Sequence, residues 1–249
     1  MIIIKWHHHN QNSGFGNKLL LSCFAECHAI ETGQQVFNWL VTDILEGGDR
    51  GGVFVHDNRS IKWGHLPNMV PSDARVRQWM DGDIQKGASI VGVGTNLSDH
   101  EFHQTDNDIS LIKKHKKALV KDFGRREGTF VHVRTPDNNR WKSDMVPDVE
   151  YYKRALPASC SGYVASNGPN HPTVRYLLDN FDLKFYNAST SEEIIIFGST
   201  FNNKVLSLGT FSWWIGFIGN QNNVICPNPN NYRKWHGPIF EQIDGWTKI

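Results

Sequence analysis

Three short segments carry donors and cations suited to an anionic ligand. In the first, Gly209-Thr210-Phe211-Ser212-Trp213-Trp214 lies within an apolar run, 205–219, that reads as strand, tight turn and helix. A helix start leaves backbone N–H groups unpaired, and the Thr210 and Ser212 hydroxyls add donors there. Core packing is the other reading, because paired tryptophans in an apolar run are more often interior than ligand. In the second, His132-Val133-Arg134-Thr135-Pro136-Asp137 delivers Arg134 to the end of an apolar segment. A guanidinium stays charged and can hold phosphate oxygens in a fork. A structural Arg134–Asp137 ion pair across the loop is the alternative. In the third, Ser13-Gly14-Phe15-Gly16-Asn17-Lys18 places Gly14 and Gly16 where a ligand can come close to the backbone, or where the chain merely turns. It is not a dinucleotide fingerprint, because Leu19 stands where the third glycine is required.

Other chemistry-bearing residues are less well placed. His7, His8 and His9 are consecutive and so point in different directions, and no matched His or carboxylate spacing follows to complete a metal site. At the end of a first strand one of them could instead serve an acceptor or act in catalysis. Asp81-Gly82-Asp83 lacks the further oxygen ligands of a calcium loop. No G-x-S-x-G nucleophile motif is present.

The elements that must position these segments alternate between strand and helix, which predicts an α/β architecture. Residues 2–6 read as a buried strand, 19–32 as a helix stopped by Gly33, and 35–41 as the next strand. A helix is expected over 109–122, with Lys113, Lys114, Lys116 and Lys117 on a solvated face. The polar stretch 124–128 reads as a domain junction. Strands are then expected at 129–134, 162–166, 183–186 and 194–197, with helices at 147–156 (entered through Asp148) and 171–180. This order predicts two Rossmann-like halves, residues 1–123 and 124–235. A C-terminal helix within 236–249 is expected to cross back to the first half. Ligands of such folds bind where strand ends lead into helices.

Composition narrows the class. The chain has 249 residues and a formal net charge of +1, from 26 basic and 25 acidic side chains. That balance gives no reason to expect a nucleic-acid partner. The cysteines Cys23, Cys27, Cys160 and Cys226 are too sparse for a disulfide scaffold and fit no close-spaced zinc pattern, which suggests a reducing compartment. No signal-peptide core is visible, and the run 205–219 is shorter than the ~20 apolar residues of a spanning helix. A soluble, cytoplasmic protein of a bacterium or a virus-infected cell is expected.

Gly209 to Trp214 resembles the S-T-F-S-W-W signature of the α-1,2-fucosyltransferase family. Other segments resemble that family in the same order. Gly14-Phe15-Gly16-Asn17 is similar to its G-x-G-N-Q-L segment, with Lys18 for the Gln. His132, Arg134 and Asp137 match its H-x-R-R-x-D motif, with Thr135 in place of the second Arg. Tyr151-Tyr152 and Ala155 resemble its Y-Y-x-x-A helix, and Ser166 falls where a strand ends in Ser-Asp, with Asn167-Gly168 in place of the acidic pair. The resemblance covers residues 1–35 and most of 129–227, and none is visible over 40–122.

That resemblance implies a two-domain GT-B fold with a cleft, a GDP-sugar donor, a glycan acceptor and a metal-independent inverting transfer with no further cofactor. Negative charge would grow on the departing GDP, and fixed donors facing it would lower the barrier. Arg134, Thr210, Ser212 and nearby N–H groups are the implied donors. Gly14, Phe15, Gly16, Asn17, His132, Ser166 and Phe211 complete the donor-binding set. Asp137 would orient Arg134 or bind the base or ribose. His8, His9 and Asp144 are candidates for the base that deprotonates the acceptor. The missing second Arg keeps another GDP-hexose open as donor, and a non-catalytic glycan- or nucleotide-binding protein is the competing class.

Overall fold

A computed structural model describes residues 2–5, 14–32, 36–37, 42–46, 89–92, 106–136, 143–219, 223–232 and 245–249. The chain divides into two units, Met1–Lys121 and Asp122–Ile249.

In the first unit, β1 (Ile2–Lys5) is the middle strand of a parallel sheet. It pairs with β2 (Val36–Phe37) on one side and β3 (Ser89–Gly92) on the other. Helix α1 (Phe15–Thr32) packs against α2 (Asp106–Leu119). Leu19, Leu20, Cys23 and Cys27 form its buried stripe at the three-to-four spacing of an amphipathic helix. The helix starts at Phe15, so Gly16, Asn17 and Lys18 belong to its first turn and not to the loop expected before Leu19. On α2, Lys113, Lys114 and Lys117 are exposed, the solvated face expected of them.

The second unit holds a six-stranded, all-parallel sheet. Its strands are β4 (Arg126–Val133), β5 (Ser161–Ser166), β6 (Asp182–Phe185), β7 (Phe201–Val205), β8 (Val224–Cys226) and β9 (Thr247–Lys248). The spatial order β6-β5-β4-β7-β8-β9 is, counted within the unit, 3-2-1-4-5-6, the doubly wound order of Rossmann-like domains. Four helices lie between strands: α3 (Val149–Ala155), α4 (Pro172–Asn180), α5 (Ser191–Ser199) and α6 (Thr210–Ile218). Asp148 starts α3 by accepting the Tyr151 N–H at 3.1 Å. His171 and Pro172 start α4, with the His171 ring accepting the Thr173 N–H.

Strand alternation sorts β4 between two cores. Val131 and Val133 face one core with Val164, Leu183, Val205 and the α3–α4 residues Tyr151, Tyr152, Val174 and Leu177. Phe130 and His132 face the other. Phe130 meets Phe197 of α5 with ring centroids 6.0 Å apart, and His132 meets Ser212 of α6. This period of two decides which side chains of the His132–Arg134 segment can reach α6.

Two expected elements differ. Residues 194–197 are helix, inside α5, and not strand. Thr190 accepts the Glu193 N–H at 3.1 Å while the Glu193 carboxylate takes the Ser189 N–H at 2.7 Å. This reciprocal cap overrides the β-propensity of Ile194-Ile195-Ile196. The tail expected as a helix within 236–249 ends in a strand: β9 adds to β8 at the sheet edge of the second unit, with Ile225↔Thr247 in register. Residues 236–244 lie outside the described residues.

Candidate ligand site at the switch point of the second sheet

In the 3-2-1-4-5-6 order the winding reverses between β4 and β7. The chain leaves β4 toward β5 on one side and leaves β7 toward β8 on the other, which opens a crevice beyond their carboxyl ends. The β4–β7 pairing ends at Val131↔Val205. The segments that follow are residues 134–136 after β4 and 206–209 after β7, and these carry two of the three sequence motifs.

The motifs meet through one hydrogen bond. His132 Nδ1 lies 2.6 Å from Ser212 Oγ, between residues 80 apart in the chain. Both are buried, His132 at 6% exposure and Ser212 at 0%. The His132 ring also packs on Phe211, centroid to centroid 5.0 Å at 31°. Burial first, and then the nearby Arg134 charge, lower the His132 pKa from 6.5 to about 3. The imidazole is therefore neutral throughout the physiological range. Its bond to Ser212 ties β4 to α6.

Gly209 makes the turn. Its φ of 102° and ψ of 157° lie where only glycine is comfortable, and no side chain caps α6. The helix begins with Trp213 N–H donating to Gly209 O at 3.1 Å. The first-turn amides of Thr210, Phe211 and Ser212 precede that bond, and the N-cap glycine has no side chain to offer them, while the helix dipole adds positive potential. Thr210 and Phe211 are half-buried at this edge. Trp213 and Trp214 are fully buried in contact at 4.9 Å and 83°, and Trp213 stacks on Phe217 at 4.3 Å. The tryptophan pair is core and anchors the turn from below.

Arg134 follows β4 directly and is half-buried. Its neighbour Thr135 is buried, donates its N–H to Asn167 Oδ1 at 2.9 Å, and packs so tightly on Gly168 that a Cβ there would lie 2.7 Å from Thr135 Oγ1. Ser166 Oγ accepts the Gly168 N–H at 3.0 Å. Ser166, Asn167 and Thr135 thus tie the loop after β5 to the loop after β4. Position 135, where the resembling motif has its second Arg, is used for loop packing.

The structure brings His132 together with Ser212 and Phe211, puts Thr210 in the same first turn of α6 and Arg134 close enough for its charge to act on His132, and leaves Ser166 one strand away. Gly14, Phe15, Gly16 and Asn17 belong to the first unit, where Gly14 is exposed immediately before α1 and Gly16 is buried in its first turn. His8, His9 and Asp137 lie outside the described residues. Asp144 is exposed in a short 3-10 turn, Ser143–Met145. Sequence reasoning missed two members of the switch point. Tyr151 OH donates to Leu206 O at 2.7 Å, and Tyr152 OH donates to His132 O at 3.2 Å. Their sequence signal was the adjacent aromatic pair of the Y-Y-x-x-A resemblance, which did not mark them as site residues.

Among the described residues no group of three or more His, Cys, Asp or Glu is placed to hold a metal, and no helix is long and apolar enough to cross a membrane. All four cysteines are buried and free. The parallel sheet and its helices make the second unit an α/β domain, with a strand order compatible with Rossmann-like folds. No protein-family model matches the chain, and neither a curated protein nor a solved structure matches it significantly.

Proposed function

We propose that this chain is a glycosyltransferase that moves fucose from GDP-fucose to a glycan hydroxyl with inversion and without a metal. One observation carries the reading. The two segments that separately resemble fucosyltransferase motifs, His132–Arg134 and Gly209–Trp214, meet at the switch point of a Rossmann-like sheet through the 2.6 Å His132–Ser212 bond. In this reading the α6 amides and Thr210 receive the diphosphate, and Arg134 balances the charge that grows as GDP departs. His132 Nδ1 and Ser212 Oγ bond each other, so in this reading their part is to hold α6 at the right distance. The acceptor and the base belong to the rest of the chain.

A second donor, another GDP-hexose, is favoured by Thr135. Its side chain is packed on Gly168, so the cation of the resembling motif is missing where it would meet the donor. The test is a panel of GDP- and UDP-sugars scored by melting shift and by release of GDP or UDP. GDP is expected to stabilise the protein without added metal, and Arg134→Ala is expected to abolish the shift. Equal stabilisation of both proteins would sink the Arg134 assignment. A shift with GDP but no nucleotide release from any donor would make the chain a binding protein.

A further inference from the structure

The two strands that bound the crevice are tied from behind by one pair of side chains. β4 and β7 part after Val131↔Val205, and the carbonyls just beyond that pair find donors on α3. Tyr152 OH donates to His132 O at 3.2 Å on the β4 side, and Tyr151 OH donates to Leu206 O at 2.7 Å on the β7 side. The Tyr151 oxygen also lies 3.4 Å from Ile225 O, in the middle of β8. Both side chains are fully buried, with rings in edge contact at 4.8 Å. Burial raises both phenol pKa values, so neither hydroxyl ionises and both remain donors. Because Tyr151 and Tyr152 are consecutive on one short helix, the two hydroxyls hold the two strand ends at one fixed spacing. From His132 the connection continues through Nδ1 to Ser212 on the other face of the sheet. A hydrogen-bonded path therefore runs from α3 through β4 to the first turn of α6.

We propose that Tyr151 and Tyr152 are positioning residues that set the separation of the strand ends bounding the crevice, and through it the grip on a nucleoside diphosphate. The second half of this proposal rests on the functional reading above. Both phenols lie behind the sheet, in the core shared by α3 and α4, so they act on a ligand only through the backbone they hold.

Tyr151→Phe and Tyr152→Phe remove one oxygen each and leave the ring packing in place. Hydrogen exchange by mass spectrometry on the ligand-free full chain tests the brace. Amides of 206–212 in Tyr151→Phe and of 132–136 in Tyr152→Phe are expected to exchange roughly five- to tenfold faster, as loss of one buried hydrogen bond implies, with α4 unchanged. An equal rise across the second unit, or none, overturns the brace. Calorimetry with GDP tests its consequence. Each variant is expected to weaken Kd by roughly five- to tenfold, and any donor turnover to lose affinity, as a higher donor KM, more than kcat. Wild-type affinity for GDP in both variants overturns the positioning role even where exchange is faster. If the wild type binds neither GDP nor UDP, the functional reading fails and takes the ligand half of the proposal with it. The exchange data then decide the brace alone.

Discussion

His132 makes the sharpest quantitative test of the site. Its imidazole is buried and neutral in the folded chain, with a pKa lowered from 6.5 to about 3 by desolvation and then by Arg134. In the unfolded chain it takes up a proton below the ordinary value, so the unfolded state binds more protons between those limits. Stability must therefore fall as pH falls through 6.5, and its loss from this group levels off near pH 3. The slope in that window is about 1.4 kcal/mol per pH unit. Between pH 7.5 and 4.5 the linkage gives a loss of about 2.7 kcal/mol from His132 alone. His132→Asn removes the titration. Breaking the Ser212 hydrogen bond costs that variant about 1 kcal/mol at every pH. The stability gap between the two proteins should therefore shrink, and reverse, as the solution is acidified. The assay is denaturant-dependent hydrogen exchange of peptides from β4 and β7, which reports on the second unit at both pH values. The double difference cancels the carboxylates and the other histidines. Parallel pH curves for the two proteins would refute the buried, neutral imidazole.

Further outcomes follow from the same geometry. Gly209→Ala places a Cβ on a backbone at φ 102°, ψ 157°, and is expected to cost about 1–3 kcal/mol in urea titrations and to abolish the GDP melting shift. Thr135→Arg, which would supply the second Arg of the motif that the segment resembles, is expected to destabilise by about 1–3 kcal/mol, because the side chain meets Gly168 in a filled loop contact, and not to raise donor affinity in calorimetry. Arg134→Lys keeps a charge but loses the planar fork, and donor turnover is expected to drop by roughly 10²–10³ without loss of melting temperature in the free protein. Chelation with EDTA is expected to leave GDP release from the active donor unchanged, as measured by coupled nucleotide assay.

How much of this was legible in the sequence depended on whether the signal was local. The strand–helix alternation from Thr129 to Cys226 could be read because each element there carries its own start or stop: Asp148 before α3, Pro172 at the head of α4, Gly209 before α6. Where two local signals compete, reading by hydrophobicity fails. Ile194-Ile195-Ile196 carries strand propensity, yet Thr190 accepts the Glu193 N–H and Glu193 accepts the Ser189 N–H at the start of a helix over the same residues. The short edge strand β9 had no signal of its own, because two residues added to an existing sheet need only an open neighbour. For the site, residue types pointed correctly to an Arg at a strand end and a glycine turn before a helix. What each polar atom does could not be read locally, because its partner is distant in sequence. Ser212 reads as an exposed anion donor from its place in a helix start, but its hydroxyl is spent on a histidine 80 residues earlier.

The division of labour within the two motifs follows from strand and helix periodicity. On β4, alternation puts His132 into the α6 core and leaves Arg134 two residues on, past the last β4–β7 pair, where a side chain can reach the crevice. On α6, Ser212, Trp213 and Trp214 are fully buried while Thr210 and Phe211 remain at the edge. In the proposed reading each motif joins residues that meet the ligand to residues that hold them there. His132 with Ser212 and the tryptophan pair form the holding part. Arg134, Thr210 and the amides released by Gly209 form the part that can meet a ligand. A substitution in the holding part should change stability and affinity together, whereas one in the facing part should change affinity alone. That separation is what the His132 and Arg134 variants, compared in the same two assays, measure directly.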